Sequence, residues 1–138
     1  MAKREMLYIN RDIFESIVAH ARKGLPHEVC GYLSENEGKV VAHYELSNID
    51  AAADHFSMKP EEQFAAVKDM RGKGLRLRAV YHSHPETPAR PSPEDIRLAH
   101  DPEISYVIIS LAETEPAIKS FRIRKGEVTE EQIEIIEG

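Results

Sequence analysis

Leu75 to Asp95 reads LRLRAVYHSHPETPARPSPED. Its first part, Leu75 to His84, has the pattern of a β-strand whose apolar middle suits a central place in a sheet. Side chains two apart on a strand point to one face, so His82 and His84 project together. Pro85 ends the strand because it cannot donate to a ladder. Pro85 to Pro91 (PETPARP) then forms a rigid loop, and Ser92-Pro93-Glu94-Asp95 opens a short helix expected to end near His100. Serine at the N-cap, proline at the first helical position and an acid three residues after the cap make a capping pattern.

Outward from this stretch, the chain alternates hairpins with amphipathic helices. Asp12 to Lys23 places Ile13, Ile17, Val18 and Ala21 at helical spacing, with Gly24 as a stop. Val29 to Leu33 and Lys39 to Leu46, joined by ENEG, read as a hairpin. Pro60 to Arg71 reads as a helix with Phe64, Val67 and Met70 on one face. Tyr106 to Leu111 is a nearly continuous apolar run, as in a strand buried on both faces. Ala117 to Arg124 and Glu127 to Ile136 form a second hairpin around Lys125-Gly126. The order implies an α+β fold with a mixed sheet, in a single domain spanning residues 1–138.

Bulk chemistry narrows the function. With 18 Lys+Arg against 24 Asp+Glu the net charge is -6, which argues against a nucleic-acid partner. The basic run Arg71 to Arg78 (RGKGLRLR) reads as a solvated helix end and turn. Cys30 is the only cysteine, so there is no internal disulfide framework and no multi-cysteine zinc site. Beside an acidic residue, it reads as a buried small hydrophobe rather than a nucleophile. No apolar leader and no membrane-length apolar window is visible, so a cytoplasmic location is expected, with no membrane partner.

The chemistry concentrates on His82, His84 and Asp95. Asp95, one turn into its helix, can add a carboxylate to the two imidazoles. Such a set leaves the fourth tetrahedral position of Zn²⁺ to water, the pattern of catalytic rather than structural zinc. Hydrolysis also needs a general base that does not ligate the metal, and by local spacing Glu28, Glu86 and Glu94 are all candidates. His20, His27, His43, His55 and His100 lack ligand spacing and read as structural.

Seven residues separate His84 from Ser92 and two separate Ser92 from Asp95, giving HxH-x7-SxxD. This pattern resembles that of the JAMM (MPN+) metallopeptidase family. His27-Glu28-Val29-Cys30-Gly31-Tyr32-Leu33 is similar to the family's upstream glutamate and glycine-containing strand, and Tyr106 to Leu111 to the strand after its metal helix. Asn48, Phe56 and Pro60 also stand where small prokaryotic members carry such residues. The resemblance implies a cytidine-deaminase-like α/β sandwich with a mixed sheet flanked by helices. It also implies zinc on His82, His84 and Asp95, Glu28 as the base, and Ser92 as a stabiliser of the oxyanion.

The resemblance further implies hydrolysis of the amide or isopeptide bond after the C-terminal Gly-Gly of a ubiquitin-like or sulfur-carrier protein. The compact chain is similar to the stand-alone prokaryotic members, including those that release a C-terminal cysteine. A Gly-Gly tail is expected to add as a strand beside the sheet and to fit a narrow groove. The alternative is a catalytically silent MPN-type scaffold, whose mark would be missing ligands. A deaminase would need H-x-E and P-C-x-x-C, which a single cysteine cannot supply. A DNA-associated relative of the RadC type is disfavoured by the acidic balance. Substrate identity, leaving group and oligomeric state stay open in the sequence.

Overall fold

The computed structural model describes residues 6–137. In chain order it has β1 (Met6–Asn10), α1 (Arg11–Lys23), β2 (Cys30–Asn36), β3 (Lys39–Leu46) and α2 (Pro60–Gly72). There follow β4 (Arg76–His84), α3 (Pro93–Arg97), β5 (Ser105–Ser110), β6 (Ala117–Arg124) and β7 (Glu127–Ile136). The α+β class and mixed sheet are as expected. Both expected hairpins form. Their turns put Glu37 and Gly38, and Lys125 and Gly126, at positive φ, the backbone that two-residue hairpin turns require.

One strand was not foreseen. β1 pairs in parallel with both β3 and β7, and thereby closes the sheet in the order β1-β3-β2-β4-β5-β6-β7. β4 lies between β2 (antiparallel) and β5 (parallel), the central place its apolar middle implied. Closure leaves no open edge on β4 beside His82 and His84.

Alternation along β2 and β4 sends residues to two cores. Leu33, Ala79 and Tyr81 join Ile13, Ile17, Val18 and Ala21 of α1. Burying Ile13, Ile17 and Val18 contributes roughly 5–9 kcal/mol of gross apolar transfer, an upper bound. On the opposite face, Cys30 and Tyr32 pack with Ala66 and Met70 of α2. Phe64 is not part of that face; it is 73% exposed. At about 100° per residue, Phe64 lies roughly 120° around the helix from Met70. Away from the histidines, buried Glu131 accepts from Ser105 and Ser120 and pairs with Arg78, tying β4, β5, β6 and β7 together. Arg78 is thus turned inward, whereas Arg76 remains solvated as expected.

Gly31 sits opposite Tyr81 in the β2–β4 ladder. A Cβ there would lie 2.3 Å from the Tyr44 carbonyl oxygen and 2.5 Å from the Tyr81 ring, and the backbone oxygen cannot move aside cheaply. Gly31→Ala is expected to cost about 2 kcal/mol or more, lowering Tm by roughly 8 °C, measured by thermal unfolding. An unchanged Tm would contradict this packing.

Candidate metal centre

β4 delivers His82 and His84 to the α2 face, and the loop after Pro85 folds back over them. Ser110 Oγ donates to the Thr87 carbonyl at 2.6 Å, and the Leu111 N–H donates to the His84 carbonyl at 3.1 Å. His84 Nδ1 donates to the Pro88 carbonyl at 2.9 Å, which leaves its Nε2 with the lone pair. Ser92 caps α3: its Oγ accepts from the Asp95 N–H at 3.0 Å, and Asp95 Oδ2 accepts from the Ser92 N–H at 2.9 Å. The helix ends at Arg97, short of His100, because only this capped turn is helical.

The three expected ligands converge. His82 Nε2, His84 Nε2 and Asp95 Oδ2 form a triangle with every side 3.2 Å. Donors at about 2.0–2.1 Å from a tetrahedral ion stand about 3.3–3.4 Å apart, so the triangle fits one such ion nearly without adjustment. Among the described residues this is the one group of three or more such side chains able to hold a metal. Its protonation is also suited to ligation. Burial pushes His82 down towards the neutral imidazole. Burial works to raise Asp95, but its interactions with the His82 and His84 imidazoles, strongest when those rings carry a proton on Nε2, outweigh it and hold the carboxyl well below the usual carboxylate range. Burial likewise opposes charge on His84, yet Asp95 and the Pro88 carbonyl raise it, so protons compete with a cation there.

Glu28 lies two residues before β2 begins, in line with His84. Cys30 pairs with His82, the Ser83 N–H donates to the Val29 carbonyl at 3.0 Å, and the Val29 N–H donates to Ser83 Oγ at 2.9 Å. Glu28 is 4% exposed and its Oε1 has no hydrogen-bond partner. Burial, opposed by His84 and reinforced by Asp95, pushes its carboxyl up to about 8. With the folded value above the ordinary 4.5, this group's contribution to stability declines as pH rises from about 4.5 through about 8. A divalent cation beside it would relieve that cost by favouring the carboxylate. Glu86 and Glu94, the other candidate bases, are exposed.

Two residues noted only for their positions have clear structural work. Asn48 Nδ2 donates to the carbonyls of Glu28 and His55, and its Oδ1 accepts from the Asp50 and Ser57 N–H groups. It thus fastens the 48–57 loop over Glu28. Phe56, carried by that loop, lies against His82 with ring centroids 4.8 Å apart. Ser83 was missed as a positioning residue; its place between the two histidines was the available signal. Cys30 is buried and its thiol is pushed up to about 12 by burial, as expected of an inert side chain. An apolar groove of about 490 Å³ runs up to His82 and Asp95, walled by Phe56, Val80, Tyr106 and Ile108, with Leu98 also lining it.

Residues 10–124 match the family described as prokaryotic homologs of the JAB domain. The chain belongs to this family. It is 33% identical over 135 residues to the CysO-cysteine peptidase of Mycobacterium tuberculosis, covering 96% of this chain and 92% of that protein. It is 33% identical over 111 residues to the desampylase of Haloferax volcanii, covering 75% and 80% of the two chains. A protein of Desulfitobacterium hafniense, solved in solution, superposes with a TM-score of 0.87 at 48% identity, covering 96% of this chain and 94% of that one. The mycobacterial relative is named as a peptidase, the haloarchaeal one as a desampylase, and the third by its source alone. No helix among the described residues is long and apolar enough to cross a membrane.

Asp95→Asn keeps an oxygen for the Ser92 cap but removes the anionic ligand. It is expected to lower zinc affinity at least 100-fold with a Tm change of only a few degrees, measured by competition with a chromogenic chelator. Undiminished affinity would reduce Asp95 to a helix cap.

Proposed function

We propose that the protein is a zinc-dependent peptidase or isopeptidase, cleaving the amide bond after the C-terminal Gly-Gly of a ubiquitin-like or sulfur-carrier protein. The observation that carries this reading is the 3.2 Å donor triangle, set next to a buried carboxylate without a partner. His82 Nε2, His84 Nε2 and Asp95 Oδ2 would hold the metal. Zinc in such a set supplies Lewis acidity and lowers the pKa of a water to about 7.

The remaining work belongs to the chain itself. Glu28 takes a proton from the attacking water and passes it to the leaving amine. A carboxyl pushed towards neutrality suits a group that must do both. Ser92 Oγ is already an acceptor for the Asp95 N–H, so its own hydrogen is free to donate to the oxyanion that develops on the carbonyl. The acyl half of the substrate lies along the apolar groove at His82 and Asp95. Since β4 has no open edge there, the tail is gripped by groove walls, which favours residues without a Cβ. The names of the mycobacterial and haloarchaeal relatives support a peptidase acting on protein conjugates. A cytoplasmic setting fits this substrate class. The scaffold alternative would be marked by lost ligands, and all three are present.

The test is mass spectrometry of carrier proteins ending in Gly-Gly plus a short extension, incubated with the zinc-loaded protein. Cleavage after Gly-Gly is expected, with a Val-Val tail at least 10-fold slower. Glu28→Gln should keep zinc and fold while losing about 10²–10⁴ in kcat. Wild-type turnover in Glu28→Gln would remove the base assignment, and no cleavage of any carrier would favour the scaffold.

A further inference from the structure

The loop between β4 and α3 carries proline at positions 85, 88 and 91, and so has few N–H groups with which to hold itself. An anchor comes from β5 instead. In the parallel β4–β5 ladder, Ser110 stands directly opposite His84. Ser110 is buried, and its hydroxyl is used twice. It donates to the Thr87 carbonyl at 2.6 Å and accepts from the Ala112 N–H at 3.2 Å. One residue further along the loop, the Pro88 carbonyl accepts from His84 Nδ1 at 2.9 Å.

Little freedom remains between those two carbonyls. The Thr87 oxygen lies in the peptide plane that ends on the Pro88 nitrogen. From that plane to the Pro88 carbonyl, the chain can turn only about φ and ψ of Pro88. The pyrrolidine ring fixes φ. A turn closes ψ, because the Arg90 N–H donates to the same Pro88 carbonyl at 2.9 Å. Ala89, within that turn, is buried with Ile108, Phe121 and Ile123, which fixes its far side. Whatever holds the Thr87 oxygen therefore aims the Pro88 oxygen. The Pro88 oxygen in turn keeps hydrogen on Nδ1 of His84, so that Nε2 faces His82 Nε2 and Asp95 Oδ2, each at 3.2 Å.

We propose that Ser110 is a positioning residue for the His84 ligand. Through Thr87 and Pro88 it holds the imidazole in the tautomer and orientation that present Nε2 to the metal. This rests on the metal reading of the triangle, and it places part of the zinc affinity on β5, a strand that supplies none of the three donors. Supports of this kind, one step behind a ligand, change metal affinity by about 10–100-fold.

The experiment compares Ser110→Ala, Ser110→Thr and Ser110→Val in the full chain. Threonine and valine have nearly the same shape, so the hydroxyl is what separates them. Zinc affinity is read by competition with a chromogenic chelator. The His84 Nδ1–H is read from proton–nitrogen NMR spectra of the zinc-loaded protein. Ser110→Ala and Ser110→Val are expected to bind zinc at least 10-fold more weakly than the unsubstituted chain, with an imidazole N–H that exchanges rapidly with solvent. Ser110→Thr should stay within about 3-fold and keep a protected N–H. Equal affinities for the Thr and Val variants, or a protected N–H in both, would overturn the positioning role while leaving the metal reading intact. An unsubstituted chain that binds no zinc would overturn both.

Discussion

The antiparallel register of β2 against β4 is the constraint on which the site depends. Cys30 faces His82, and the paired bonds between Val29 and Ser83 carry that register one step further, bringing Glu28 alongside His84. Because side chains alternate, a slip of one residue would send both histidines to the α1 core. Gly31 guards the register, since its missing side chain makes room for the Tyr81 ring. In the closed sheet β4 is paired on both sides, so the two histidines of the donor triangle stand on a rigid support.

Around that frame, burial and charge act in opposite directions on neighbouring groups. Burial disfavours charge on His82 and Glu28, while the mutual hydrogen bonds of Asp95 keep it ionised. A single cation in the triangle would satisfy Asp95, take the imidazole lone pairs and ease the cost of ionising Glu28. The site is thus most comfortable with a metal in it. Asn48 and Phe56 serve the same end from the loop side, one fixing the Glu28 backbone and the other shielding His82.

Much of this was legible because the chemistry is local in sequence. His82, Ser83 and His84 alternate on one strand, and Ser92 to Asp95 spells its own cap. What escaped was long-range. β1 is five residues that run straight into α1 with no punctuating glycine or proline, and its two partners are far along the chain. Barrel closure, which follows from β1, therefore escaped too, and with it the absence of a free edge. Phe64 was misplaced because steps of three residues precess around a helix, whereas Ala66 and Met70, four apart, stay on one face. The end of α3 was overrun because the cap signal marks where a helix starts and says little about where it stops.

X-ray absorption at the zinc edge, on protein loaded with one equivalent of zinc at neutral pH, addresses the donor triangle most directly. A four-coordinate shell of nitrogen and oxygen at about 2.0–2.1 Å, with scattering from two imidazoles, is the expected result. A six-coordinate shell of oxygen alone, or a shell with fewer than two imidazoles, would contradict the account.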